Sequence, residues 1–396
     1  MKAADSVKNY DSKIREYVNY SYRQSKNACK NYASRPAGSE NEKELQKHLV
    51  SELETCADEV KKEGFSFAKT SSFSENIFTL VFLVLAAALV ILECFGIFPN
   101  GTIPAIGSAA FVILGVANLF TGFTSKVFAK KTESENIFAV RKADKEATKR
   151  LVLIANSDSV LKRKFASLPF MIITIVGFVA TIAMMFLSAA FDIFSSVPNL
   201  KFASLALIIF IPFALIPIFA DSKDYSDGAS KNLSGSFASI AVLKYLKDNG
   251  IEMPSLEICV LITSAHGYDL SGAKAFVKAH SEDFKDIPTI FVNLDSIACD
   301  EANLGTIKAK NGVCESEKFI DEAKAENDFG FDVAPLQGKY ITDSSVFSAK
   351  GFDAIALTSL PADYAKMPDT FEDMKIKTIE TALKTIVSGV FLYEEK

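Results

Sequence analysis

The polar residues with the most chemical promise stand at the ends of apolar runs. The stretch Leu151–Ser159, LVLIANSDS, is five apolar residues followed by Asn156, Ser157, Asp158 and Ser159. A short, nearly continuous apolar run reads as a strand buried on both faces, and open α/β sheets build their sites at the carboxyl ends of such strands. Only Asp158 in this end readily binds a metal. Asp295 closes a second apolar run in the same way. There are three histidines, His48, His266 and His280, and six cysteines without a CxxC pair, which reads as inert, reduced thiols. Catalysis by paired acids, by a metal or by a nucleophile would have to come from a sparse set.

The elements that must position these residues are legible. Ser39 and Glu42 form a capping-box pattern before a helix expected over about Glu40–Lys62, and residues 1–65 read as helical. Beyond residue 220 the pattern becomes α/β. Helices are expected at Ser236–Lys247, Ser271–His280, Glu315–Glu326 and from about Thr370. Strands are expected at Leu256–Thr263, Thr289–Leu294 and Asp353–Leu357. Such alternation implies a mostly parallel sheet with helices on both faces. Asn136–Ala143 and Arg150–Ala155 would add a β-hairpin. The pentapeptide SENIF occurs twice, at Ser74–Phe78 and Ser134–Phe138, too short an echo to be a repeat architecture.

Four long apolar runs interrupt this pattern: Ile77–Phe98, Ile103–Phe123, Leu168–Phe191 and Phe202–Ala220. Each is long enough as a helix to cross about 30 Å of hydrocarbon. They pair into two hairpins with short links, so the expected organisation is 1–76 globular, 77–124 hairpin, 125–167 globular, 168–220 hairpin and 221–396 globular. Glu93 is the only charge inside the runs and reads as an interfacial residue. Eleven Lys and Arg lie between Ser125 and Ser167, against Lys201 alone in the hairpin links. The positive-inside rule then places the globular parts in the cytoplasm. The lipid bilayer is one expected partner. The net charge of −5 and the absence of a basic stripe give no reason to expect nucleic acid.

Eight segments, in order, resemble the co-catalytic zinc aminopeptidases of metallopeptidase family twenty-eight, which includes leucyl aminopeptidases and glutaminyl cyclases. Arg35-Pro-Ala-Gly-Ser39 resembles R-x-A-G-S, and Asn136-Ile-Phe-Ala139 resembles N-V-I-A. LVLIANSDS is similar to the A-H-x-D-S strand end, and Gly228–Gly235 to G-A-D-D-N-A-S-G. Ala265–Phe276 matches the place of E-E-x-G-x-x-G-S-x-x-F, and Asn293–Ile297 that of N-L-D-M-I. Thr342-Asp343 with Phe347 and Gly351 resembles S-D-H-x-x-F-x-x-x-G, and Tyr364-Ala365 with Asp369-Thr370 resembles Y-H-T-x-x-D-T. The resemblance implies two zinc ions held by His, a bridging Asp, Glu, Asp and His, with a further Glu as general base.

Carried over residue by residue, that set is mostly gone. The first His position is Asn156, the bridging Asp is Lys231, the base is His266, the ligand Glu is Gly267 and the last His is Ala365. Asp158 and Asp295 are kept. Asn is a poor zinc ligand, Gly and Ala offer no side-chain donor, and Lys231 puts an ammonium where a shared carboxylate should be. No zinc cofactor is therefore expected, and nothing would bring the pKa of an attacking water toward 7. Lys231 is expected to reach Asp295 or Asp158 as a stand-in cation. His266 reads as a solvated loop histidine, and Gly228 and Gly235 as turn and helix-packing residues. The expectation is a membrane-embedded, catalytically inactive peptidase-like protein that binds a peptide or protein partner. The competing readings are a hydrolase rebuilt around one metal on His266, Asp295 and Asp158, and a transporter, which the scarcity of intramembrane charge disfavours.

Overall fold

The computed structural model describes residues 11–70, 72–98, 102–159, 161–163, 221–299, 304–308, 314–326, 333–335, 341–359 and 369–396, with scattered residues between 169 and 219. In chain order the elements are α1 (Asp11–Asn31), α2 (Glu40–Glu54), β1 (Glu59–Lys69), α3 (Ser72–Cys94), α4 (Thr102–Thr121), α5 (Phe123–Phe128), β2 (Lys130–Arg141), β3 (Lys149–Asn156), β4 (Leu161–Arg163) and β5 (Asp221–Tyr225). A π-helical turn at Ala229–Leu233 leads into α6 (Ser234–Asp248). Then come β6 (Leu256–Thr263), α7 (Ser271–His280), β7 (Thr289–Leu294), β8 (Leu304–Lys308), α8 (Glu315–Glu326), β9 (Val333–Pro335), α9 (Asp343–Ala349), β10 (Asp353–Thr358) and α10 (Ile376–Glu395).

The chain divides into two compact units, one of Met1–Phe67, Glu133–Val160 and Asp224–Lys396, the other of Ala68–Thr132 and Leu161–Lys223. The first is built on a sheet of order β1-β2-β6-β3-β7-β10-β8-β9. Its four central strands are parallel, and β2 and β8 join them antiparallel. The apolar run of β3 explains its central place. Leu151 and Leu153 pack into one layer with α1, α6 and α10, while Val152 and Ile154 pack into the other with Phe276 of α7 and Phe347 of α9. Each such side chain, fully buried, contributes about 1.5–3 kcal/mol.

Three expectations are corrected. The helix begun at Glu40 stops at Glu54, and Glu59–Lys69 is an edge strand. The segments around Asn136 and Arg150 do not form a hairpin, because β6 lies between them, antiparallel to β2 and parallel to β3. The final helix starts at Ile376, after a short 3-10 turn at Phe371–Asp373 capped by Thr370. SENIF is helical in α3 and extended in β2.

In the second unit α3 and α4 pack along small residues. Ser108 donates to the Ala86 carbonyl at 3.0 Å, and Gly115 lies against Phe82 and Leu83. Near the open end, Asn118 donates to Thr79 at 2.9 Å and accepts from the Thr124 amide at 3.1 Å. Among the described residues two helices are long and apolar enough to span a membrane, Asn76–Glu93 with mean hydropathy 2.4 and Ile103–Thr121 with 2.0. The sequence predicts four. The third and fourth runs, Leu168–Phe191 and Phe202–Ala220, lie mostly outside the described residues.

Candidate functional site

The parallel strands end side by side, so the turns that follow them share one edge of the sheet. Asn156 is in register with Thr263, and the Ser157 amide donates to the Thr263 carbonyl at 3.0 Å. The Asp295 amide donates to the Leu357 carbonyl at 3.1 Å. Both turns are strained: Ala265, just past β6, has φ 55°, and Ser296, just past β7, has φ 57°. Such non-glycine residues in the left-handed region cluster where a structure holds a functional geometry.

His266 follows Ala265 and turns inward. Its Nδ1 lies 3.2 Å from Asp343 Oδ1, and its side chain is 16% exposed. The solvated loop histidine expected from sequence is therefore corrected: the left-handed turn at Ala265 aims the ring back over the strand ends. Asp343 heads α9, is buried, and accepts from Thr263 Oγ1 at 2.7 Å through its other oxygen. Burial opposes the charge on His266, but Asp343, Asp295 and Asp158 together push its pKa up to about 10. The ring is an imidazolium at neutral pH, a fixed cation rather than a base.

Asp158 is fully buried and accepts the His266 amide at 3.2 Å. Burial raises its pKa to about 6, against the pull of His266. Asp295 is also raised by burial, with His266 and Lys231 opposing the rise and Ser296 Oγ donating to it at 2.7 Å.

Lys231 sits on the π-helical turn, a local widening that recurs at functional positions. The Asp369 carboxylate accepts the Ser230 and Lys231 amides at 2.9 and 3.2 Å. Burial raises Asp369 to about 6, and the Lys231 ammonium is the largest influence drawing it down. Lys231 thus acts on Asp295 and Asp369, while Asp158 faces His266. The Lys231 carbonyl accepts the Ser296 amide at 3.1 Å, tying this turn to the end of β7.

Two glycines make the approach possible. Gly228 has φ 59°, and a Cβ there would meet Arg35 Nη2 at 2.8 Å. A Cβ on Gly235 would fall 2.0 Å from the Leu294 carbonyl oxygen. Both carry the turn and packing roles read from sequence. Arg35 is fully buried, and its guanidinium donates to the carbonyls of Tyr32, Ser157 and Asp227. Its own amide donates to Ser159 Oγ at 2.8 Å. It staples the segment before α2 to the end of β3.

Glu42 is a further buried acid. Only half of the expected capping box forms, with Ser39 Oγ accepting the Glu42 amide. The Glu42 carboxyl accepts the Gly38 amide at 2.7 Å and the hydroxyls of Ser134 and Ser264. Burial, reinforced by Asp158, pushes its pKa up to about 7.

The zinc pair of the resemblance does not fit these residues. Asn156, Lys231 and Gly267 stand at three ligand positions, and Ala365 lies outside the described residues. His266 is committed to Asp343. Among the described residues no three His, Cys, Asp or Glu side chains converge as a metal group. Sequence reasoning recognised Asp343 and Asp369 as motif positions but gave them no role. Their signal was the polar residue at a helix start, Thr342-Asp343, and the Asp369-Thr370 pair before a cap. Four cysteines, Cys29, Cys56, Cys259 and Cys299, are buried with thiol pKa values raised by burial, in line with inert thiols.

Residues 220–390 match the family model described as Peptidase family M28. No curated protein matches. Among solved structures, BSAP, a zinc aminopeptidase from Bacillus subtilis, is similar at 13% identity over 95% of each chain with a TM-score of 0.58. A Zn-dependent exopeptidase from Parabacteroides distasonis is similar at 13% identity over 94% of this chain and 97% of its own, with a TM-score of 0.57. A glutaminyl cyclase from Fimbriiglobus ruber is similar at 10% identity over 95% of each chain, with a TM-score of 0.54. The chain thus has the fold of the zinc aminopeptidases, and its residues 220–390 carry the match to the Peptidase family M28 model.

Proposed function

We propose that this protein is a membrane-embedded, catalytically inactive member of the aminopeptidase fold that works by binding or scaffolding a peptide or protein partner. One observation carries the reading. The ligand positions hold Asn156, Lys231, Gly267 and Ala365, and the chain's own cations, His266 and Lys231, act on the acids that remain. A zinc pair would have to displace an imidazolium from Asp343 and overcome an ammonium beside Asp295, with too few donors left to complete its coordination.

Membrane embedding is supported by the faces of α3 and α4. Only 39% and 33% of their apolar windows are buried, and Val81, Val84, Leu85, Ile106, Ile113 and Leu114 are at least 40% exposed. A core helix of a water-soluble domain would bury these side chains. The excess of Lys and Arg around β2 and β3 supports a cytoplasmic globular unit.

Metal analysis of the purified protein together with an aminopeptidase assay tests the reading. No stoichiometric zinc and no hydrolysis are expected. A zinc pair lost on Asp295→Ala, or turnover abolished by that change, overturns it. Single-cysteine labelling in intact cells tests the orientation: residues in Lys126–Lys164 reacting from outside, while the link at Pro99–Thr102 does not, would invert it.

A further inference from the structure

Glu42 belongs to a closed ring of buried oxygens that joins three elements. Its Oε2 lies 2.8 Å from Ser134 Oγ of β2, and its Oε1 meets Ser264 Oγ just past β6. The two hydroxyl oxygens are themselves 2.8 Å apart. All three side chains are buried. Each of these oxygen–oxygen contacts needs one proton, because lone pairs with no proton between them repel. The two hydroxyls supply two, and the Gly38 amide, 2.7 Å from Oε2, directs its own to the carboxyl. With both hydroxyls donating to a carboxylate, their contact with each other is left bare. A proton on Glu42 reverses one of these bonds and completes the ring: Glu42 donates to Ser264, Ser264 to Ser134, and Ser134 back to Oε2.

The surroundings favour the acid. The hydrogen-bond partners of Glu42 are an amide and two hydroxyls, with no basic side chain among them. The charged group that acts on it from across the site is Asp158, past β3. Burial, then Asp158, pushes its pKa up to about 7. The nearby cations, His266 and Arg35, act on Asp158, and Asp343 of α9 holds His266. The first turn of α2, where Glu42 sits with Glu40, opposes the acid by favouring an anion.

The ring pins a strained loop. Ser264 leads into the segment that carries His266, and three of the next six residues are non-glycine residues in the left-handed region. These are Ala265, Asp269 and Leu270, at φ 55°, 59° and 53°. We infer that Glu42 is a proton-operated latch on the strand-end site: as an acid it closes the ring and holds the His266 loop down, and as a carboxylate it breaks the ring and lets that loop open. The latch stands apart from what the site binds. Its direction follows from hydration. An open loop returns Glu42 to its ordinary value of 4.5, so opening grows as pH rises from there and levels off above about 7.

Hydrogen exchange of the full chain in detergent, corrected for the intrinsic effect of pH, reads the opening of Ser264–Ser271. Between about pH 5 and 6.5 that opening should rise several-fold more in the parent than in Glu42→Gln. The glutamine amide donates to Ser264 and accepts from Ser134 and Gly38, so it keeps the ring but does not titrate. The rise that persists in the variant belongs to Asp158 and His266. Ser134→Ala removes the contacts that require the extra proton, so its rise should also be smaller than the parent's. Infrared difference spectra over the same range should show a protonated carboxyl in the parent that Glu42→Gln lacks. Equal rises in the parent and Glu42→Gln, or identical infrared spectra, overturn the inference. Should Glu42→Gln fail to fold, Ser134→Ala decides, and a rise equal to the parent's overturns it.

Discussion

At the scale of the residue, the buried acids and His266 tie stability to pH in one direction. His266 has a folded pKa of about 10, above its ordinary 6.5, so its contribution is complete below about pH 6.5 and is lost as pH rises toward 10. Glu42, Asp158 and Asp369 are raised to about 7, 6 and 6, so the unfolded chain releases their protons first and stability falls as pH rises through those values. The globular unit is therefore expected to melt at a higher temperature near pH 6 than near pH 8, within the window these pKa values define. A melting temperature that climbs over that range would contradict the assignment. His266→Ala leaves Asp343 buried without its cation and should cost about 3 kcal/mol in chemical denaturation; His266→Gln, which keeps a donor, should cost less. The acids at strand ends were legible in the sequence because an apolar run delivers them. The inward turn of His266 was not, because it depends on the φ of 55° at Ala265, which no residue type announces.

At the scale of the element, two contacts set the outcome of single substitutions. Gly235 lets α6 approach the end of β7, and Gly235→Ala should destabilise by about 3 kcal/mol or more, since the clash is with backbone that cannot yield. Lys149 donates to the carbonyls of Tyr393 and Glu394 at the end of α10 and lies over the Tyr393 ring at 5.3 Å. Lys149→Met keeps the stem and should cost about 1 kcal/mol; equal thermal stability would show that solvent satisfies those carbonyls as well. The strands read correctly were those buried on both faces, β3, β6, β7 and β10. The edge strand β1 escaped because its alternating exposure dilutes the apolar signal. SENIF makes the limit concrete: one pentapeptide is helix in α3 and strand in β2, so partners outside it decide.

At the scale of the whole molecule, the order of motifs revealed the fold class, and the apolar runs revealed the hairpin of α3 and α4. That hairpin closes on a small polar cluster, and Asn118→Leu removes both its donor to Thr79 and its acceptor for Thr124. With the hairpin embedded as proposed, a loss of about 1 kcal/mol in its stability is expected, read by steric-trap unfolding in bilayers. What the sequence could not convey is sheet order. The β2 and β3 segments look like neighbours because they are close in the chain, but a strand from far downstream separates them.

That intervening strand has a consequence during synthesis. β3 ends at Asn156 and β6 begins at Leu256, 100 residues later. At typical ribosomal speeds the nascent chain spends about 5–20 s with the inner edges of β2 and β3 exposed. Through that interval two strands wait without the partner that will bridge them. Chains released before β6 emerges should aggregate or engage chaperones, and released fragments ending just before Leu256 should be more protease-sensitive than released fragments that include β6.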